Sequence, residues 1–238
     1  MTPFSDFESS KNLIENLVTL GAVILGGAIT YVSTYLFERR KEKRHQQEQA
    51  WSLFFVVQDL VNDLVQLNVH VHQSVAQAEQ NGVLGDNWTK IPDVVGFSEA
   101  EKYISTDQLV ILAALKDAKL MMDVREIGSA HTTYLKVIRK LIEMRGLLES
   151  STKVKVVDGS VIGFEADAEE FAKVAPLILK LKGLGDGLAL GLPGATAKAM
   201  RTAELLGPRL KSHYKFKDFS SVTFPDAAKN PSSTRSED

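Results

Sequence analysis

A stretch of 22 residues without a charged side chain, from Asn16 to Phe37, places the strongest constraint on the fold. As an α-helix it would be roughly 33 Å long, which matches a bilayer hydrocarbon core of about 30 Å. Tyr31 and Tyr35 lie toward its C-terminal end, where aromatic side chains favour the membrane interface. We therefore predict a single transmembrane helix over residues 17–37, with the lipid bilayer as its partner.

The charges on either side of this stretch predict its orientation. Residues 1–16 contain one lysine and three acidic residues, whereas residues 38–45 contain five fixed positive charges against two negative ones. The positive residues are Arg39, Arg40, Lys41, Lys43 and Arg44. Because cytoplasmic flanks are enriched in Lys and Arg, the sequence predicts a short extracytoplasmic tail over 1–16 and a cytoplasmic C-terminal part, in an inner or plasma membrane.

The apolar stretch has two other interpretations besides a membrane anchor. A secretory signal peptide has its basic residues before a shorter apolar run, whereas here they follow a longer one. A buried helix of a globular protein rarely extends this far without a charge and then ends in a basic cluster. Both alternatives fit the sequence less well than a membrane anchor does.

Small residues recur at every fourth position of the predicted span. They are Ala22, Gly26, Thr30 and Thr34. Such a stripe allows two helix backbones to approach each other closely, as in small-xxx-small dimers. The stripe predicts a homodimer or small homo-oligomer, although glycine is common in membrane helices for other reasons as well.

The helix is predicted to continue beyond the membrane, because no Gly or Pro occurs between Ala28 and Asn81. Residues 38–50 are almost wholly polar and would form a basic helical stalk. Its charges either set the topology alone or also bind anionic lipid headgroups.

From Trp51 onward, apolar residues return at alternating spacings of four and three. They form a heptad-like seam of the kind found in coiled coils. Its members are Leu53, Val57, Leu60, Leu64, Leu67 and Val71. Phe54, Val61 and Val65 widen the seam, which favours a helix packed in a globular bundle over an isolated two-stranded coiled coil.

Local signals further along the chain predict more helices and one hairpin. Capping boxes beginning at Ser98 and Ser105 and an acidic helix start at Asp167 each predict a helix N-terminus. Residues 153–164 are rich in Val and Ile around Asp158-Gly159, which suits a β-hairpin with a type I′ turn.

The predicted fold class is all-α and membrane-anchored: a single N-terminal transmembrane helix that continues into a cytoplasmic helical bundle with a small β-hairpin. The bundle is predicted over 51–217, and a polar, Ser-rich flexible tail over 218–238. Pro176 is expected to kink or restart its helix, and Gly207-Pro208 to break another.

The glycine-rich segment 183–194 is the most conspicuous candidate for a binding site. Its pattern predicts a turn between two helices, and glycine-rich turns before a helix can hold phosphate on free backbone N–H groups. The candidate cofactor-binding residues are Gly185, Gly187, Gly191, Gly194 and Lys198. The segment lacks the Gly-Lys-Ser/Thr of a phosphate loop, so a small-residue turn without a ligand is the other interpretation.

Composition excludes several kinds of chemistry. Without cysteine, the chain has no disulfides, thiolate catalysis or Cys-based zinc sites, and a net charge of −2 does not favour nucleic acid. Glu42-x-x-His45 has the spacing of a di-metal motif of helical bundles but lacks the second copy that such a site needs. Asp59 and Asp63 are expected to be solvated or paired with basic neighbours. We therefore predict no catalytic residues, no metal and no cofactor.

The leading functional hypothesis is a membrane-anchored interaction or scaffold protein whose protein partner the sequence does not identify. One alternative is a membrane-tethered enzyme or nucleotide binder that uses the segment 183–194 together with Lys198. A further alternative is a membrane effector that oligomerises through the stripe of small residues.

Overall fold

A computed structural model of the chain describes residues 5–93, 102–157, 160–165, 167–216 and 224. The side chains of residues 5–19, of Ala22 and of residues 153–165 are not part of that description. The chain divides into two compact units, Met1–Glu48 and Gln49–Asp238.

The first helix, α1, runs from Ser5 to Gln80. Its bounds include residues 37–51, so the predicted continuation of the helix through this stretch is confirmed. Gly82 follows in the left-handed region at φ 73°, and the N–H of Val83 donates to the carbonyl of Ala78 at 2.9 Å. A glycine at this position suits the end of the helix, because the conformation strains residues with a Cβ.

Within the described side chains, no helix is both long enough and apolar enough to cross a membrane. The predicted span over 17–37 lies partly outside them, at residues 17–19 and at Ala22.

The elements after α1 are predominantly helical, which confirms the all-α fold class. They are α2 (Asn87–Lys90), α3 (Thr106–Ala114), α4 (Ala118–Ser151), α5 (Ala168–Asp186), a π-helical turn (Gly187–Gly191) and α6 (Leu192–Tyr214). Capping boxes at Ser105 and Asp167 start α3 and α5, so both predicted helix starts are confirmed. The predicted start at Ser98 falls outside the described residues.

Two short strands occupy the segment between α4 and α5. Strand β1 (Lys153–Val157) pairs antiparallel with β2 (Ser160–Glu165), and the register shifts between Lys155 and Val156. The predicted type I′ turn at Asp158-Gly159 lies outside the part of the chain that the structure describes.

The core of the second unit is built on the apolar seam of α1. All six seam residues are at most 1% exposed, and Phe54 and Val61 beside them are also buried. This wide buried face confirms that the C-terminal part of α1 packs in a helical bundle. The same core contains Val124, Leu141 and Leu148 of α4 and Met200, Leu206 and Leu210 of α6.

Neither of the two internal prolines interrupts its helix. Helix α5 continues across Pro176, and α6 continues across Pro208, so the predicted break at Gly207-Pro208 is wrong. Proline removes one intrahelical hydrogen bond, but the apolar residues that flank Pro208, Leu206 and Leu210, are fully buried. We infer that core packing outweighs the local cost of the proline.

A buried arginine attaches the segment around α2 to helix α4. Arg145 is 3% exposed, and its Nη2 donates to the carbonyl oxygens of Trp88 and Ile91. Its Nη1 donates to Asp93 Oδ1 at 3.1 Å. Burial lowers the pKa of the Arg145 guanidinium, and the nearby carboxylates of Asp93 and Glu149 partly offset this shift. Trp88 and Ile91 are thereby held in the core, where they are 2% and 1% exposed.

The predicted flexible tail over 218–238 lies outside the described residues apart from Phe224. The N–H of Phe224 donates to Glu204 Oε1 of α6 at 3.0 Å, and its side chain packs against the core.

Candidate functional site

The apolar part of α1 leaves most of its described side chains exposed. Ten large apolar side chains between Leu20 and Phe37 are between 46% and 73% exposed. Helices that are apolar on all sides are normally buried in a protein core or in a membrane. This set, named here the exposed apolar segment, consists of Leu20, Val23, Ile24, Leu25, Ile29, Tyr31, Val32, Tyr35, Leu36 and Phe37.

The five cationic residues predicted to set the topology are all exposed and follow the exposed apolar segment directly. Among the described residues, none of them forms an ion pair with a carboxylate within 4 Å. Neighbouring Glu42 accepts a hydrogen bond from Gln46 at 3.3 Å, one turn further along the helix. The positive charges of Arg39, Arg40, Lys41, Lys43 and Arg44 are therefore available to solvent or to anionic groups.

Three of the four predicted association residues are exposed, and the side chain of Ala22 lies outside the description. No atom lies within 4 Å of the position that a Cβ of Gly26 would occupy, apart from the helix's own backbone. The Thr30 hydroxyl donates to the carbonyl of Gly26 at 2.8 Å. The Thr30 hydroxyl therefore has its hydrogen-bond acceptor within its own helix and needs none from another helix. The surface around Gly26 is smooth, because no other side chain lies within 4 Å of its Cβ position.

The glycine-rich segment is helical, so the predicted turn over 183–194 is wrong. The chain passes from α5 through the π-helical turn into α6, and the N–H of Gly187 donates to the carbonyls of Gly183 and Leu184. Likewise, the N–H of Leu192 donates to Leu188. These N–H groups already have partners, whereas a phosphate cradle requires free ones.

Two of the candidate glycines have a packing role instead. A Cβ on Gly185 would lie 2.5 Å from the backbone N and 2.8 Å from Cα of Trp88, so the absence of a side chain lets α2 approach α5. A Cβ on Gly191 would lie 2.9 Å from the hydroxyl oxygen of Tyr134, a group whose pKa is raised by burial. At Gly187 and Gly194 a Cβ would meet nothing within 4 Å.

Lys198, the candidate phosphate-binding cation, faces carboxylates of α4. Its Nζ donates to Glu126 and lies 3.4 Å from Asp123 Oδ1. The hydrogen bonds to Glu126 and Asp123 raise the pKa of Lys198. The pKa of Asp123 is lowered, first by the hydrogen bond from Lys119 and further by Lys198. The charge of Lys198 is therefore already balanced within the bundle.

A partly buried polar cluster joins α1 to α4. Asp63 Oδ2 accepts a hydrogen bond from Lys102 Nζ at 2.8 Å and lies 3.0 Å from His131 Nε2. Asp63 is thus paired with basic neighbours, one of the two predicted alternatives. Among the described residues, no group of three or more His, Asp or Glu side chains is arranged to hold a metal ion.

A groove of about 410 Å³ lies between the segment before α3 and one face of α4. Three of its described lining residues are cationic and none carries a carboxylate. We name it the basic groove, and the lining residues that matter below are Lys102, Tyr103, Arg125, Ser129, Thr132 and Lys136. The sequence patterns described above did not predict this groove. The only available signal was the spacing of Arg125, Ser129, Thr132 and Lys136 by four, three and four residues, which places them on one helical face.

Comparison with protein-family models, with curated proteins and with solved structures gave no match for this chain.

Proposed function

We propose that the chain is a single-pass membrane protein whose helical bundle, residues 51–217, acts as a cytoplasmic interaction or scaffold domain. The observation that carries the proposal is the exposed apolar segment, which lies within 22 uncharged residues. Exposing these side chains to water is unfavourable by about 25 cal/mol for each Å² of apolar surface, and a bilayer removes that cost. The five cations that follow support an orientation with the bundle in the cytoplasm.

Cysteine labelling tests the proposed topology directly, because the native chain contains no cysteine. We expect a Ser9→Cys variant to react with a membrane-impermeant maleimide in intact cells. A His45→Cys variant should react only after the membrane is permeabilised. The readout is the mass shift of the protein on a gel.

Alkaline carbonate extraction of the same membranes provides the control for integral insertion. We expect the protein to stay in the membrane pellet, as integral proteins do. Recovery in the supernatant would contradict the anchor, and labelling of His45→Cys in intact cells would contradict the orientation.

We propose further that the chain forms a homodimer or small homo-oligomer through the predicted stripe of small residues, which includes Gly26, Thr30 and Thr34. The smooth surface around Gly26 and the internally satisfied Thr30 hydroxyl support close packing of two helices. We expect Gly26→Ile to lower the cross-linked dimer fraction in membranes several-fold, because the larger side chain separates the backbones.

Gly27→Ile is the matched control for this experiment. Gly27 also has open space at its Cβ position but points about 100° away around the helix. An equal loss of dimer in both variants would argue against this face, and an unchanged dimer fraction in Gly26→Ile would rule it out.

A further inference from the structure

Two cations of the basic groove, Arg125 and Lys136, differ from other charged residues of α4 in their pairing. On other faces of that helix, Asp123 pairs with Lys119 at 3.0 Å, and Glu126 pairs with Lys198. Arg125 and Lys136 are exposed and form no ion pair with any described carboxylate. Their positive charges therefore remain uncompensated by the described part of the protein.

The third cation of the groove is already partly neutralised. Lys102 donates to Asp63 at 2.8 Å, and this carboxylate lies against the buried His131. The pairing holds the segment before α3 against the bundle and thereby shapes one wall of the groove. The uncompensated charge then comes from Arg125 and Lys136.

The spacing of these two cations indicates the length of a ligand. Arg125 and Lys136 are eleven residues apart on one helix, so their Cα atoms are separated by about 16 Å along the axis. The hydroxyl groups of Ser129 and Thr132 line the groove between them. A single compact anion matches this arrangement poorly, whereas an extended ligand with anionic groups along its length can contact both cations and the hydroxyls.

The wall opposite α4 is suited to an organic group. Tyr103 is 77% exposed, and Ile104 and Leu109 line the same groove. An exposed aromatic ring can stack on a planar base.

We propose that the basic groove binds an elongated small molecule with two or more phosphoryl groups, either an inorganic oligophosphate or a nucleoside polyphosphate. This binding activity is additional to the anchoring and interaction role proposed above.

Calorimetric titration of the full chain in a non-ionic detergent tests the proposal, with inorganic tripolyphosphate as the probe. A hydrogen bond to a charged group contributes about 1.5–3 kcal/mol, and 1.4 kcal/mol corresponds to tenfold in affinity. We therefore expect Arg125→Gln and Lys136→Gln each to weaken binding about tenfold or more, and the double variant about a hundredfold. Both side chains are exposed, so the fold should be retained, which far-UV circular dichroism checks.

Lys119→Gln is the matched control, because Lys119 is an exposed cation of the same helix that does not line the groove. We expect it to bind tripolyphosphate as the native chain does. Equal weakening in Lys119→Gln and Lys136→Gln would reveal non-specific attraction and overturn the proposal. Absence of binding at about 1 mM tripolyphosphate and ATP would overturn it as well.

Adenosine triphosphate distinguishes the two sources of the phosphoryl groups. Tighter binding of the nucleotide than of tripolyphosphate, with a loss on Tyr103→Ala, supports a nucleoside polyphosphate. Equal affinities that do not respond to Tyr103→Ala support an inorganic oligophosphate. Neither result depends on membrane insertion, so failure here is distinguishable from failure of the proposed anchor.

Discussion

Replacing Arg145 by methionine is expected to lower the free energy of unfolding by about 3 kcal/mol. The guanidinium donates to the carbonyls of Trp88 and Ile91, two residues that are no more than 2% exposed. Methionine fills part of the space but donates no hydrogen bond, so both carbonyls lose their donor inside the core. Each unsatisfied buried group costs about 1–3 kcal/mol. Two such groups together cost about 2–6 kcal/mol. Removing a buried charge offsets part of this cost, so the expected loss of about 3 kcal/mol lies in the lower half of that range.

Urea unfolding of the full chain in non-ionic detergent, followed by tryptophan fluorescence, measures this effect. Arg201→Met is the matched control, because it makes the same chemical change at an exposed position of α6. We expect it to alter stability by less than about 0.5 kcal/mol. Equal unfolding midpoints for the two variants would contradict the role assigned to Arg145.

A second variant separates the carbonyl contacts from the ion pair. The side chain of Asp93 is 59% exposed, so its charge is already well solvated. Asp93→Asn is expected to cost about 0–1 kcal/mol, far less than Arg145→Met. A large loss in Asp93→Asn would show that the ion pair is the main contact.

Replacing Gly185 by alanine is expected to destabilise the protein by about 1–3 kcal/mol or more. The added Cβ would lie 2.5 Å from the backbone N of Trp88 and 2.8 Å from its Cα and Cβ. Backbone atoms cannot move aside as the end of a flexible side chain can, so α2 would have to shift away from α5. That shift would also disturb the contacts that Arg145 makes with the same segment.

Gly183→Ala is the control, since Gly183 lies one half-turn earlier on α5 and a Cβ there meets nothing within 4 Å. Alanine is favoured over glycine inside a helix by about 0.5–1 kcal/mol, so this variant is expected to be slightly more stable than the native chain. Thermal unfolding of both variants should therefore give shifts of opposite sign. A stabilised Gly185→Ala would show that α2 does not depend on the close approach.

Arg145 and Gly185 act on one segment, so their variants should not be additive. Once Arg145→Met has loosened the segment around Trp88, the Cβ of alanine at position 185 meets a more mobile neighbour. We expect the double variant to lose less stability than the sum of the two single losses.

The local patterns of the sequence predicted several elements correctly. Capping boxes at Ser105 and Asp167 depend on side chains three residues apart, and such contacts form within one helical turn. The same reasoning failed at 183–194, because glycine is a weak helix former whose local preference was outweighed by packing. There, Leu181, Leu188 and Leu192 are fully buried and keep the chain helical.

The candidate site was only partly accessible to sequence reasoning. The exposed apolar segment and its basic flank are continuous in the chain, so their composition alone indicates a membrane anchor as the proposed role. The pairing of Lys198 with carboxylates of α4 is not visible in the sequence, since Lys198 and Glu126 are separated by 72 residues. Nothing in the order of residues indicates which helix lies beside Lys198.

By itself, the sequence shows two regularities of the first helix. They are the 22 uncharged residues from Asn16 to Phe37 and the apolar seam that begins at Leu53, and both can be recognised because they recur along a single helix. Only the tertiary structure placed Arg145 on carbonyls 57 and 54 residues away and Asp63 beside His131, 68 residues away. It also decided that Gly185 makes room for Trp88 and that the basic groove forms beside α4. The physical reason is that helical periodicity defines which residues share a face, whereas the partner across that face depends on how separate helices pack.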